Sequence, residues 1–302
     1  LIVNITGSTV LGKGFDLSAM GTGNLFKFTT GTLTSGNWTQ LGSNKLNEFY
    51  LTVKNGDLDF GASTAVSNGA SGSEKNTAAN MYINASGSVS GASVNNSGNR
   101  LSIVAGKDIT INGAVVENGL GTGVAPDKDV NNTNYDVDEA PNYVNENGVA
   151  LIANGTLTVN GAVTNKGNMQ LTGNTVNLED VTNQGNNLTI KAPTDKSGSI
   201  KTGTITNTSG NLVVNSHSVD IANLTVSGGN VDIHGANTTG NDLTIGSVVI
   251  NGGVVDVDAI DGGIVIGDDA SGTGAVTDQV FSVGASGALN FGSQVNNLTI
   301  YG

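Results

Sequence analysis

The sequence predicts an all-β protein, a right-handed parallel β-helix built as a three-faced solenoid of about 19–20 residues per rung. Three observations carry that expectation. First, apolar-x-apolar triplets recur at a step of 19: Leu157-Thr158-Val159 is followed by Val176-Asn177-Leu178, and Met169-Gln170-Leu171 by Leu188-Thr189-Ile190. The series Ile205, Leu224, Leu243 keeps the step, as do Leu212, Val231, Ile250, then Val181, Ile200, Val219, and finally Val226, Ile245, Ile264, Val283. Second, each repeat holds triplets at three phases, as at Ile205, Leu212 and Val219, with Gly, Asn, Asp or Ser between them. Third, glycine supplies 45 of the 302 residues and proline only 3.

Each observation has a physical reason. Period-2 alternation sends the outer two residues of a triplet to one face and the middle one to the other. Stacked rungs put like positions on one another, so the repeat survives in the sequence. Tight corners need positive φ, which glycine and asparagine tolerate. Proline would remove a ladder donor from strands paired on both sides.

Taken as a whole, residues 1–302 read as a single β-solenoid. Residues 1–60 differ in composition: they hold the sole tryptophan, Trp38, and Phe15, Phe26, Phe28, Phe49 and Phe60, five of the seven phenylalanines. Strand alternation is visible at Ile2–Ile5 and Leu51–Val53, but the 19-step is not. These are wide first rungs or a cap, with aromatics closing the core. From Met81 the rungs become regular: Met81-Tyr82-Ile83 leads to Leu101-Ser102-Ile103 and Val89 to Ile109, each at a step of 20. Residues 117–150 break the pattern with Pro126, Pro141 and a concentration of carboxylates, and read as an inserted acidic loop. Val149 to Ile152 re-enters the solenoid, and Ala192 to Ser199, with Pro193, forms a smaller bulge. No 3.6-residue periodicity supports a helix.

The net charge is −13 with a pI near 4.3, and charged residues are 12% of the chain. Arg100 is the only arginine. An acidic surface without a basic cluster disfavours nucleic acid and anionic membranes as partners. No apolar run of about 18 residues exists to insert in a bilayer as a helix. The absence of cysteine removes disulfides and thiolate metal sites.

Catalytic chemistry has little foothold in the pattern. Polyuronate-cleaving β-helices need clustered carboxylates with Arg or Lys nearby, whereas the outward positions here are Thr158, Gln170, Asn177, Thr189, Val213, Asp220, Thr225 and Asp232. Asp220 and Asp232 fall at different phases, so they face different sides. His217 and His234 are out of register with each other. Thr206, Thr225 and Thr244 form an outward threonine ladder, and Asn168 with Asn187, and Asn211 with Asn230, read as corner ladders bonded through their amides. One spacing suits a hard cation: Asp127, Asp129, Asn131 and Asp138 occupy positions 1, 3, 5 and 12 of a calcium-type loop, with Asp136 nearby. Asn132 stands where such loops carry glycine, and Asp138 where they carry glutamate.

The stretches Gly106-Lys107-Asp108-Ile109-Thr110-Ile111-Asn112-Gly113-Ala114-Val115 and Gly155-Thr156-Leu157-Thr158-Val159-Asn160-Gly161-Ala162-Val163-Thr164-Asn165-Lys166-Gly167 resemble the repeats of filamentous-haemagglutinin-type adhesins and autotransporter passengers. The resemblance covers about two thirds of the chain. It implies a secreted bacterial β-helix that displays binding loops, located outside the cell or on its surface, with a host or neighbouring cell surface as partner. The Asn-Pro-Asn secretion motif and a translocator barrel are missing, and no site residue carries over.

The resulting expectation is a structural or adhesive extracellular protein, not an enzyme. The rival is a carbohydrate-active β-helix, a polysaccharide lyase or hydrolase. Both ends of the sequence read as strands, so self-association end to end into a filament is expected, with Leu1, Ile2, Val3 and Ile5 meeting Leu298, Ile300 and Tyr301 of another copy.

Overall fold

A computed structural model describes residues 1–20, 25–34, 38, 41–69, 76–119, 147–195, 197–236, 241–259, 263–267, 280–292, 295 and 297–300. The described chain is all β and parallel, with the strand-by-strand stacking of a parallel β-helix. Among the described residues the one helical piece is a single 3-10 turn, Leu17–Ala19. The chain forms two compact units, Leu1–Gly161 with Gly167–Gln170, and Ala162–Lys166 with Leu171–Gly302.

In the first unit three columns of strands run in register. Phe28, Leu51, Ile83, Ile103 and Leu151 stack on the first face. On the second face, Leu58, Val89, Ile109 and Leu157 do the same. The third face stacks Asn44, Asn68, Asn96 and Glu117. The steps of 20 expected from Met81 to Leu101 and from Val89 to Ile109 are the pairings seen. Most aromatics of the early rungs are buried. Trp38, Phe49 and Phe60 are fully buried. Phe15 meets Phe26, Phe28 and Trp38 edge-on at 5.5, 5.2 and 5.6 Å, an arrangement that aligns ring edges with ring faces.

The second unit repeats the plan with aliphatic residues. Leu188, Leu212, Val231 and Val255 stack on one face. Val176, Ile200, Val219, Leu243, Ile264 and Leu298 stack on another. Val163, Val181, Ile205, Leu224, Val248 and Phe281 complete the third. At one corner the glycines Gly210, Gly229 and Gly253 all take positive φ, 71, 77 and 87°. A Cβ on Gly229 would run into the carbonyl of Gly210, and one on Gly253 into that of Gly229. Backbone conformation and close stacking therefore both demand glycine there.

The register corrects several expected series. Leu224 pairs with Val248, and Leu243 with Val219, so Leu224 and Leu243 lie on different faces. Val181 pairs with Ile205, not Ile200. Val226 pairs with Ile250, while Ile245 pairs with Ile221 and Ile266. The reason is rung length: Val181 to Ile205 and Val219 to Leu243 are steps of 24. Between Val181 and Ile205, residues 192–195 and 197–198 lie outside any strand, and a fixed step of 19 counted through such extra residues slides onto the next face. The threonine series stops for the same reason: Thr206 pairs with Thr225, but Thr225 then pairs with Val249 and Thr244 with Asp220. Most of the acidic insert expected over residues 117–150 lies outside the described residues, from 120 to 146, and both of its flanks are strand. Glu117 ends the strand Val115–Glu117 and residues 148–150 open the strand Gly148–Ala153, because both make ladder pairs with the rung beneath.

Candidate functional site

Three features of the described residues could do more than hold the fold. The first is an outward face of the second unit. The strand Asn230–Gly235 alternates Val231 and Ile233 inward with Asp232 and His234 outward. Its partner is the end of the long strand Asn241–Ala259, whose outward residues are Asp256 and Asp258. Register sets Asp232 beside Asp256 and His234 beside Asp258, with Asn290 beyond Asp256. His234 Nε2 lies 2.7 Å from Asp232 Oδ1, its Nδ1 lies 3.9 Å from Asp258 Oδ2, and Asn290 Nδ2 donates to Asp256 Oδ1 at 2.8 Å. Paired strands stand about 4.8 Å apart, so three carboxylates and an imidazole share one polar patch able to bind hydroxyl groups. Asp220 stays on another face, where Lys201 Nζ pairs with it at 3.3 Å.

That patch was not legible from the sequence, since Asp256 is 24 residues after Asp232 and a step of 19 passes it by. The signal that could have found it is the pair Val255 and Val257, the apolar alternation that frames Asp256 as Val231 and Ile233 frame Asp232. His217 sits elsewhere, in a corner, where its amide donates to Pro193 O at 2.9 Å. Nearby Asp195 is held below the usual carboxylate range, first by hydrogen bonds from the Ser197 hydroxyl and amide, against a small opposing effect of desolvation, and last by His217. Among the described residues no group of three or more His, Asp or Glu is placed to hold a metal ion. The expected calcium ligands Asp127, Asp129, Asn131 and Asp138 lie outside the described residues.

The second feature is a pair of strands that have one ladder partner each among the described residues. The strand Ile2–Val10 pairs with Leu25–Thr34, and Leu1 donates its terminal amine to Leu25 O at 2.7 Å. Leu1 and Ile2 are 75% and 65% exposed, and Val3 and Ile5 are half-buried. The strand Asn297–Ile300 pairs with Gly263–Ile266 and exposes Leu298 and Ile300. Val280, Phe281 and Val283 are exposed close by in sequence. Tyr301 lies outside the described residues.

The third feature is internal. Of the asparagine corner ladders expected from sequence, the Asn211–Asn230 pair is bonded, Asn230 donating to Asn211 at 3.2 Å, and Asn211 in turn donates to Asn187 at 3.1 Å. A second set, fully buried, was missed. Asn44 donates to Asn68 at 2.7 Å, Asn68 to Asn96 at 2.9 Å, and Asn96 to Glu117 Oε2 at 2.6 Å. In the second unit Asn165 donates to Asn183 at 2.8 Å and Asn183 to Asn207 at 2.7 Å. The sequence signal is the repeated Val-x-Asn at Val163-Thr164-Asn165 and Val181-Thr182-Asn183, with Val115-Val116-Glu117 as its acidic counterpart. A buried amide needs a partner for every donor and acceptor, and a column of amides supplies them.

Compared with known protein families, curated proteins and solved structures, the chain matches none.

Proposed function

We propose that this chain is a structural or adhesive β-solenoid, secreted from or displayed on a bacterial cell, which associates end to end with further copies of itself. The observation that carries the reading is the exposure of apolar side chains along two strands, Ile2–Val10 and Asn297–Ile300, each with one ladder partner among the described residues. Parallel stacking has a sense, so the exposed side of Ile2–Val10 suits the exposed side of Asn297–Ile300 in another copy. A contact between two different surfaces continues as a filament unless rotation closes it. The resemblance of the Gly106–Val115 and Gly155–Gly167 repeats to filamentous-haemagglutinin-type adhesins and autotransporter passengers supports the extracellular setting. The test is sedimentation and electron microscopy of the 302-residue chain beside a variant lacking residues 1–5. The expected result is end-to-end fibres for the former and folded monomer for the latter. Unchanged assembly after the deletion rejects strand addition at this edge.

A second reading, a carbohydrate-active β-helix, is favoured by the Asp232, His234, Asp256 and Asp258 patch. Release of oligosaccharides from an acidic polysaccharide, abolished by Asp256→Asn with folding intact, would decide for it.

A further inference from the structure

In seven described rungs the third-face strand ends on a buried polar residue pointing inward: Asn44, Asn68, Asn96, Glu117, Asn165, Asn183 and Asn207. The asparagines do two things. The side-chain oxygen accepts from the amide two residues on, Leu46 N to Asn44 at 3.1 Å and Gly98 N to Asn96 at 3.3 Å. The side-chain nitrogen donates along the column and also to a carbonyl at the start of a first-face strand two rungs ahead: Asn44 to Asn80 O at 3.1 Å, Asn68 to Arg100 O at 2.9 Å, Asn165 to Asn187 O at 3.0 Å and Asn183 to Asn211 O at 3.4 Å.

Glu117 reproduces only the first role. It is 2% exposed and accepts twice, from Gly119 N at 2.7 Å and from Asn96 Nδ2 at 2.6 Å. By register, Asn80, Arg100 and Gly148 are successive first-face positions, and Asn168, whose carbonyl lies against Gly148, is the next. The carbonyl that corresponds to the asparagine pattern is therefore that of Asn168. An ionised carboxylate has no hydrogen to give it.

We propose that Glu117 is a proton-operated latch in the buried column: protonated, its hydroxyl supplies the hydrogen that Asn44, Asn68, Asn165 and Asn183 supply in their rungs, and ionised, it loosens the corner. Among the described residues no charged group acts on the carboxyl. The strand Ser93–Asn96 brings Asn95 and Asn96, and Gly167 lies against the carboxylate, where an added Cβ would stand 3.0 Å from Oε1. The charged side chains on the neighbouring elements are Arg100 at the start of Arg100–Ala105 and Lys166 next to Gly167. Burial has the largest effect on the carboxyl, the bonds from Asn96 and Gly119 oppose it, and the result is about 7 in place of 4.5. The folded value lies above the unfolded one. Its stabilisation is therefore complete below 4.5 and is lost as pH rises through about 7.

The test compares the 302-residue chain with its Glu117→Gln variant, whose amide carries a hydrogen at every pH, by chemical denaturation across this range. Relative to the variant, the unmodified chain should lose about tenfold in folding equilibrium constant per pH unit between the two values, on the order of a hundredfold in all. Parallel profiles overturn the proposal. A carbon-13 titration of the Glu117 carboxyl in the unmodified chain needs no variant. A midpoint near 7 supports the latch, and one near 4.5 overturns it.

Discussion

The two units reach the same parallel rung architecture with different cores. The first packs rings: Phe15, Phe26, Phe28, Trp38, Phe49 and Phe60 interlock, with Phe26 stacked on Phe49 at 5.8 Å and Trp38 edge-on to Phe60 at 5.3 Å. The second packs branched aliphatics, Val176, Ile200, Val219, Leu243 and Ile264 among them, each 0–1% exposed. Rings impose mutual orientation, so the loss of one disturbs several neighbours. Aliphatic rungs repeat one position many times, so a small change in one is absorbed locally. The difference shows that the stacking rule belongs to the backbone and the corners, while the core filling can vary.

The largest expected effect lies in the ring cluster. Phe49→Ala should destabilise the first unit by about 3–5 kcal/mol, whereas Ile233→Val in the second should cost about 0.5–1.5 kcal/mol. Denaturation followed by the fluorescence of Trp38, a first-unit probe, and by far-ultraviolet circular dichroism of the whole chain separates the two. Equal costs would break the contrast between ring and aliphatic packing. A smaller effect should separate the buried and surface amide columns. Asn183→Ala strands the donor of Asn165 and the acceptor of Asn207, and each buried group left unsatisfied costs about 1–3 kcal/mol. Asn230→Ala, on the exposed column, should change stability by less than about 0.5 kcal/mol. A similar cost at both positions would mean that the columns act through the backbone rather than through burial. The smallest effect belongs to the Lys201–Asp220 pair, whose lysine side chain is 70% exposed. Lys201→Ala should change stability by at most about 1 kcal/mol and the change should shrink in high salt.

How far the sequence could be read follows from these same residues. Rung pairing was legible wherever the corners stayed short: Met81 over Leu101, Val89 over Ile109, Ile205 over Leu224 and Leu212 over Val231 are all real pairs. It failed at Leu243 and Ile200 because corner insertions carry no apolar signal, and a period has no means to count them. The first rungs showed no period because Lys27 follows Ile2 by 25 residues while Asn80 follows Glu48 by 32. The surface asparagine columns announced themselves through a constant spacing. The buried columns did not, because an inward asparagine defies the rule that core positions are apolar, and only the neighbouring valines mark it as inward. The Asp232–Asp256 juxtaposition was lost to the same miscounted corner as Leu243.

The amide columns bear on how such a chain can lengthen over generations. A duplicated rung that ends on asparagine brings one donor and one acceptor, so a column interrupted anywhere along Asn165, Asn183 and Asn207 heals with every group partnered. A duplicated Val115–Glu117 rung would set one carboxylate on another, two acceptors face to face with nothing between them to share except a proton. Gene copying can therefore add rungs through the asparagine strands at little cost, and can repeat the strand of Glu117 only with a proton held between the two carboxyl groups. The letter at that one position decides where the chain is free to grow.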